Sequence, residues 1–276
     1  MTRPLRLVVT TSRKPTSAQL ERVDTLTRRL GGVARRRDRA VDVLVSDESA
    51  DGAYLILRTH EEVRVAAGST HIHPGMIYLK QKNGRGHPLL RAVAPHGGAP
   101  VRALVDCTLG AASDAIHLAH ILPDLTITGA ESSPVLYALL EEGLPRLAGE
   151  SGRMWASAAA RIDARHIDAR QLLAAMPPDS VDVVFLDPMF RRAGKGSGGF
   201  SVVQALANHE PVDDAWLADA HRVARRRVVL KIDGAQPVPF TAPPSPGWNR
   251  RVRGGAVDYL VCERELPHPE WDTPTL

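Results

Sequence analysis

Four acidic side chains in this 276-residue chain stand where short apolar runs end. A carboxylate in that position can meet a ligand, because open α/β sheets bind beyond the carboxyl ends of their strands. Asp106 closes the run Arg102-Ala-Leu-Val-Asp106 and opens Val105-Asp-Cys-Thr-Leu-Gly-Ala-Ala-Ser-Asp114. In that turn Gly110 lets the backbone pass close to a ligand, Asp106 can anchor an amine, and Ser113 and Asp114 follow. No second glycine stands at dinucleotide-fingerprint spacing, which argues against a pyrophosphate cradle. Glu131 ends Thr128-Gly-Ala-Glu131-Ser-Ser, 21 residues after Gly110, where an acid accepts hydrogen bonds from ribose hydroxyls. Asp168 ends a third run and can meet an adenine edge; the stronger reading is that it caps a helix starting at Ala169. Each acid alone has such a bland reading. Three at successive strand ends, beside a glycine turn, point to one ligand.

The most specific run is Phe185-Leu-Asp-Pro-Met-Phe190. Asp187 and the carbonyl around Pro188 accept hydrogen bonds from an exocyclic NH2 group, and Phe190 can stack on a planar base. A base amine is a poor nucleophile, since its lone pair is delocalised into the ring. Acceptors that hold it in line with a methyl sulfonium supply orientation and stabilise the developing positive charge, without a strong base. The next stretch, Arg191-Arg-Ala-Gly-Lys-Gly-Ser-Gly-Gly-Phe200, carries Arg191, Arg192 and Lys195. Such a loop can hold phosphates and close over a flipped base, or be plainly solvated. Lys231 at a fifth strand end would line the same cleft, although a strand-end lysine is more often solvated.

Elements that can position these residues are legible in the hydrophobic pattern. From about Val101 to Glu263, apolar runs alternate with helical stretches, the signal of a parallel sheet covered by helices. The runs are Arg102–Asp106, Leu125–Ala130, Ala160–Ile167, Val181–Leu186 and Arg227–Ile232; the helices are expected at Ser113–Ile121, Pro134–Leu147, Ala169–Met176 and Asp213–Ala224. Asn249–Gly254 and Val257–Glu263 read as a closing antiparallel pair after a proline-rich connector, Pro237 to Pro246. The expected fold is a doubly wound α/β domain, residues 96–276. Residues 1–95 read as a separate α+β module. It has a strand at Leu5–Thr10, a helix at Ser17–Leu30 stopped by Gly31-Gly32, and a hairpin of Ala53–Arg58 with Glu62–Ala66. Ile77–Lys80 is a further candidate strand, Gln81 to Pro88 an exposed loop, and the seam falls near Pro95–Pro100.

Composition excludes several classes. With 43% hydrophobic and 24% charged residues the chain can bury a core and is neither disordered nor fibrous. Two cysteines, Cys107 and Cys262, rule out a disulfide scaffold or multi-cysteine zinc site, and Cys107 is expected to face the sheet interior. The run Leu5 to Val9 is too short for a signal-peptide core or a membrane span, so a cytoplasmic protein is expected. The pI near 9.3 rests on arginine, with lysine only at 14, 80, 82, 195 and 231. Guanidinium binds phosphate bidentately and stacks on bases, and Arg35-Arg-Arg37 with Lys14 could extend a basic track for RNA. His71, His73 and His87 show no ligand spacing with carboxylates, and no metal is expected.

Taken together, Asp106…Gly110…Asp114, Glu131, Asp168 and Asp187-Pro188-Met189-Phe190 resemble the class I S-adenosylmethionine (SAM)-dependent methyltransferases. Leu186–Phe190, Glu131-Ser132 and Ser113-Asp114 are similar, more narrowly, to the bacterial small-subunit rRNA guanine-N2 methyltransferase family, over roughly residues 87–235. The resemblance implies a Rossmann-like sheet and SAM contacts at Asp106, Gly110, Ser113, Asp114, Glu131, Ser132, Asp168, Ala169 and Asp187. It also implies methyl transfer to a base amine held by Asp187, Pro188 and Phe190, with RNA as partner. Two features depart from it: Leu109-Gly-Ala-Ala112 is poorer in glycine, and Arg191 stands where proline is common. The rival readings are an adenine-N6 DNA or small-molecule methyltransferase, and a non-catalytic RNA-binding or assembly protein on the same fold.

Overall fold

A computed structural model describes residues 5–74, 86–95, 97–188, 198–234 and 247–264. The strands are β1 (Leu7–Thr11), β2 (Val33–Ala34), β3 (Gly52–Ile56), β4 (Glu61–Val65), β5 (Gly68–Thr70), β6 (Ala103–Asp106), β7 (Thr126–Glu131), β8 (Ile162–His166), β9 (Val181–Leu186), β10 (Ala224–Asp233), β11 (Arg250–Arg253) and β12 (Val257–Glu263). The helices are α1 (Ser17–Leu30), α2 (Val41–Asp47), α3 (Pro88–Val93), α4 (Ser113–Ile121), α5 (Pro134–Ala148), α6 (Ala156–Ala159), α7 (Ala169–Ala175), α8 (Gly198–Leu206) and α9 (Asp214–Val223). No helix among the described residues is long and apolar enough to cross a membrane. The candidate strand Ile77–Lys80, the proline connector and most of the Gln81–Pro88 loop lie outside the described residues.

The larger sheet has seven strands in the order β11-β12-β10-β9-β6-β7-β8. β6 runs parallel to both β7 and β9, and β12 lies antiparallel between β10 and β11, as the closing pair requires. A parallel strand covered on both faces must be apolar throughout, and β9, Val-Asp-Val-Val-Phe-Leu, is buried at every residue. Its one charge, Asp182, is matched by Arg225 at 2.8 Å. The chain runs outward from β6 through β7 to β8 and then returns to the far side of β6 for β9. At that reversal the loops after β6 and β9 part and open a cleft. Helix starts follow local chemistry: Ser133 accepts from the Leu136 N–H with Pro134 in the first turn of α5, and Asp213 accepts from the Trp216 N–H of α9.

The N-terminal sheet has five strands, β2-β1-β3-β4-β5, with β1 parallel to β2 and β3 and the β3–β4 and β4–β5 pairs antiparallel. Alternation gives it two faces. Val8, Ala53 and Leu55 pack with Val41 and Leu44 of α2, while Leu7, Val9, Tyr54 and Ile56 join α1 and α5 in the main core. Helix α1 starts on a capping box, Thr16 with Gln19, and stops at Gly31, which is left-handed (φ +63). The hairpin of β3 and β4 falls within a residue or two of expectation. Six elements were not expected: β2, β5, α2, α3, α6 and α8. All but α8 are too short for periodicity to register, α2 lacks a capping side chain, and α8 starts at Gly198, within the stretch expected as a loop.

The two sheets share helix α5. Gly143 makes this possible, because a Cβ there would stand 2.3 Å from Ile72 Cβ. Around it, Arg22 donates to Glu61 (2.9 Å) and Glu141 (2.7 Å), and the Tyr54 hydroxyl donates to Glu61 at 2.6 Å. Helix α3, which precedes the expected seam, packs against β10, β11 and β12 of the larger sheet.

Candidate active site

The turn after β6 is bent by two left-handed residues, Gly110 (φ +55) and Ala112 (φ +57). For alanine this conformation costs roughly 1–2 kcal/mol, so the surrounding packing holds strain at the turn. The Gly110 N–H donates to Glu131 Oε2 at 2.9 Å, and the Ser133 N–H donates to Oε1 at 2.7 Å. One buried carboxylate thus ties the β6 turn to the β7 turn. Burial pushes the Glu131 pKa up to about 7, against the pull of the backbone N–H groups of Ser133, Gly110 and Ser132.

Asp168 caps α7, its Oδ1 accepting from the Arg170 N–H at 2.8 Å, and it also faces the cleft. The capping reading of this residue therefore holds. The opposite wall comes from Ala207, Asn208, Glu210 and Trp216, far away in sequence. Arg170 steadies that wall by bonding Asp213 at 2.7 Å while its guanidinium lies 5.0 Å from the Trp216 ring centre.

The end of β9 is held from two sides. The Asp187 N–H donates to Thr108 Oγ1 at 2.7 Å, joining the ends of β9 and β6. Lys231 Nζ, from β10, donates to Asp187 Oδ2 at 2.6 Å and to Asp114 Oδ2 at 3.1 Å. Lys231 is not solvated; it is mostly buried. Burial works to lower its pKa, but the charges of Asp114 and Asp187 prevail and hold it well above the ordinary lysine value. Asp106 lies beneath the turn and accepts from the Thr108 N–H at 3.0 Å. Burial raises its pKa to about 7, helped by the charges of Asp114 and Asp187. Cys107 is buried, as expected, and burial pushes its thiol pKa up.

Of the residues picked from sequence, Gly110, Glu131, Ser132, Asp168, Ala169, Asp187 and Pro188 line one open-sided cleft of about 560 Å³. Asp106, Ser113 and Asp114 do not line it. Asp106 bonds its own turn, Ser113 starts α4, and Asp114 turns to Lys231. Phe190, Arg191, Arg192 and Lys195 lie outside the described residues. The sequence reading missed the Thr108 bridge and the Trp216 wall. The hydroxyl two residues after Asp106 is a turn signal that could have revealed the first; nothing local marks the second.

This cleft offers a buried carboxylate with fixed oxygens at the β7 end, an acid at the β8 end and a backbone bent away at Gly110. The sheet order is that of a class I SAM-dependent methyltransferase. The family described as "Putative SAM-dependent methyltransferase" matches residues 49–246, and the chain belongs to it. SAM is its cofactor. The chain is 28% identical to the uncharacterized protein YpiP of Bacillus subtilis over 230 residues, 81% of this chain and 88% of that one. It is 31% identical to ribosomal RNA small subunit methyltransferase J of Alteromonas mediterranea over 195 residues, 69% and 72% of the two chains. The enzyme of that name from Edwardsiella ictaluri is 34% identical over 198 residues, 69% and 77%. Among solved structures, a SAM-dependent methyltransferase from Neisseria gonorrhoeae superposes with a TM-score of 0.63 at 20% identity, over 92% of this chain and 94% of that one. At that identity the likeness is one of fold.

Proposed function

We propose that this enzyme transfers the methyl group of SAM to an exocyclic base amine of RNA, guanine N2 of small-subunit rRNA. The observation that carries the reading is Asp187-Pro188 at the end of the central strand, lining the cleft, with Asp187 clamped by Thr108 and Lys231. The names of two relatives above 30% identity support rRNA as substrate.

When bound, SAM supplies an electrophilic methyl on a sulfonium. Glu131 and Ser132 are the residues to hold its ribose, Asp168 and Ala169 its adenine, and Gly110 the close approach of backbone. Asp106, Ser113 and Asp114 brace the turn and Lys231 beneath them. Asp187 and Pro188 hold the acceptor amine. Proline has no N–H, so the backbone there presents only acceptors. As the amine attacks it gains positive charge, and a carboxylate at that point binds the transition state better than the ground state. Lys231 keeps Asp187 in one place, so that orientation is set before the amine arrives. Phe190 is assigned to stack on the base, and Arg191, Arg192 and Lys195 to hold its phosphates. On this reading the enzyme works in the cytoplasm on rRNA or the small ribosomal subunit, and residues 1–95 add RNA contacts to the domain of residues 96–276.

The test is mass spectrometry of rRNA nucleosides from cells with and without the gene. The expected result is loss of one N2-methylguanosine, restored by the wild-type gene and not by Asp187→Ala. An unchanged rRNA profile refutes the proposal.

A further inference from the structure

Three side chains able to bind a metal, none of which lines the cleft, converge on one face of the β4–β5 hairpin. The antiparallel register pairs Val63 with Thr70, Arg64 with Ser69 and Val65 with Gly68. Continued by one residue, it sets Glu62 opposite His71. Side chains alternate along a strand, so His60, Glu62 and His71 project to the same side. Glu61, Val63 and Ile72 are buried on the other side.

The distances bear out that register. The His60 and His71 rings lie 4.5 Å apart and the His71 and His73 rings 4.8 Å apart, with His60 Nε2 3.7 Å from Glu62 Oε2. One ligand atom from each of His60, Glu62 and His71 lies within 4.8 Å of the other two. Tetrahedral bonds of about 2.1 Å put ligand atoms roughly 3.4 Å apart. Small side-chain rotations close that gap.

Neighbouring groups already orient two of the ligands. Thr59 Oγ1 sits 3.0 Å from His60 Nδ1, which turns Nε2 toward Glu62. Arg64 donates to Glu62 Oε1 at 3.0 Å, leaving Oε2 on the histidine side. This is the outer support that metal-ligating histidines and carboxylates use. The other nearby cation, Arg146, is spent on Glu142 at 2.7 Å and the Ile72 carbonyl at 2.6 Å.

We propose that His60, Glu62 and His71 form a zinc site. Two imidazoles and a carboxylate suit a borderline ion such as Zn²⁺ rather than Mg²⁺ or Ca²⁺, which take oxygen ligands. With three protein ligands and water in the fourth position, the ion is tetrahedral. It pins the end of a hairpin whose edge strand, β5, packs against α8, the first described helix after Asp187-Pro188. Linear spacing hid the site because the missing carboxylate comes from the neighbouring strand.

The test is titration of the chelator-stripped full chain with Zn²⁺ by calorimetry, and with Co²⁺ by absorption. One ion per chain is expected, with the intense visible bands of tetrahedral Co²⁺. Glu62→Gln and His71→Ala should each weaken Zn²⁺ binding at least about tenfold. Thr59→Val, which touches no metal, should weaken it about 10–100-fold through His60. SAM binding by the same variants reports an intact fold, and Glu62→Gln keeps the test alive if His71→Ala does not fold. Less than one ion bound, or unchanged affinity in folded Glu62→Gln and Thr59→Val, overturns the proposal.

Discussion

Replacing Glu131 by glutamine sets two opposing effects against each other, and pH separates them. Burial raises the carboxyl pKa from the usual 4.5 to about 7, so the free folded chain favours the protonated acid. That contribution to stability is fully present below about pH 4.5 and is lost as pH rises through about 7. At 1.36 kcal/mol per pH unit between the two values, ionised Glu131 costs the SAM-free protein about 3 kcal/mol at pH 8. Glutamine escapes this cost. It incurs another, because Glu131 accepts one backbone N–H on each oxygen, from Ser133 and Gly110. An amide has one oxygen, and its NH2 would face a donor, at a cost of about 1–3 kcal/mol. The variant should therefore be about 1–2 kcal/mol less stable than wild type at pH 5, and equal or more stable at pH 8. Asp106 also titrates near 7, but it is common to both proteins and drops out of the difference. Urea unfolding at pH 5, 6, 7 and 8 without SAM reads this directly. A stability difference flat across that range refutes the account. Calorimetry should also show SAM binding weakened by about 1–3 kcal/mol; unchanged affinity would remove Glu131 from the ribose.

Asp187→Ala should abolish methyl transfer in single-turnover assays at saturating SAM and RNA, with RNA affinity largely kept. Asp187→Asn should be nearly as damaging, since it loses the charge and brings a competing NH2 donor; near-normal rates in either would sink the mechanism. Gly129→Ala should weaken SAM binding more than Gly110→Ala. A Cβ at Gly129 meets Leu109 Cδ2 at 2.5 Å and must push the turn, whereas one at Gly110 has 3.7 Å to Val203 and carries only the left-handed cost of roughly 1–2 kcal/mol. Equal affinities by calorimetry would count against that ranking. Neutralising Arg191, Arg192 and Lys195 together should weaken RNA binding and flatten its salt dependence while SAM affinity stays. An unaltered slope of log affinity against log salt would take that loop off the phosphates.

The larger sheet was legible because buried parallel strands are apolar runs and their helices carry caps. Val181–Leu186 and Ser113–Ile121 match the observed bounds residue for residue. The cleft was half legible. Glu131, Asp168 and Asp187 stand at strand ends, which sequence order reveals once the strands are found. Solvation, the commoner fate of a strand-end lysine, fails for Lys231, because its partners Asp114 and Asp187 come from two other strand ends. No local signal tells which side of the turn Asp114 faces; in the structure it bonds Lys231. Short elements escaped altogether. β2, α2 and β5 exist because their neighbours complete them, and no local signal exceeds that dependence.

Helix α5 has a consequence for how the chain is built. Eight of its residues are buried, among them Leu136, Leu139 and Leu144, and its flanks bond to Arg22, Arg29 and Glu61, the first of these 119 positions earlier in sequence. The N-terminal sheet is synthesised first, yet Val23, Leu26, Val63 and Ile72 await a helix made much later. During translation that sheet must stand with an apolar face open to solvent. Its closure depends on non-local pairing, which slows folding and lengthens exposure to aggregation. Folding of the two halves is therefore a joint event, completed only when α5 arrives, carrying with it the Glu131 turn from which it springs.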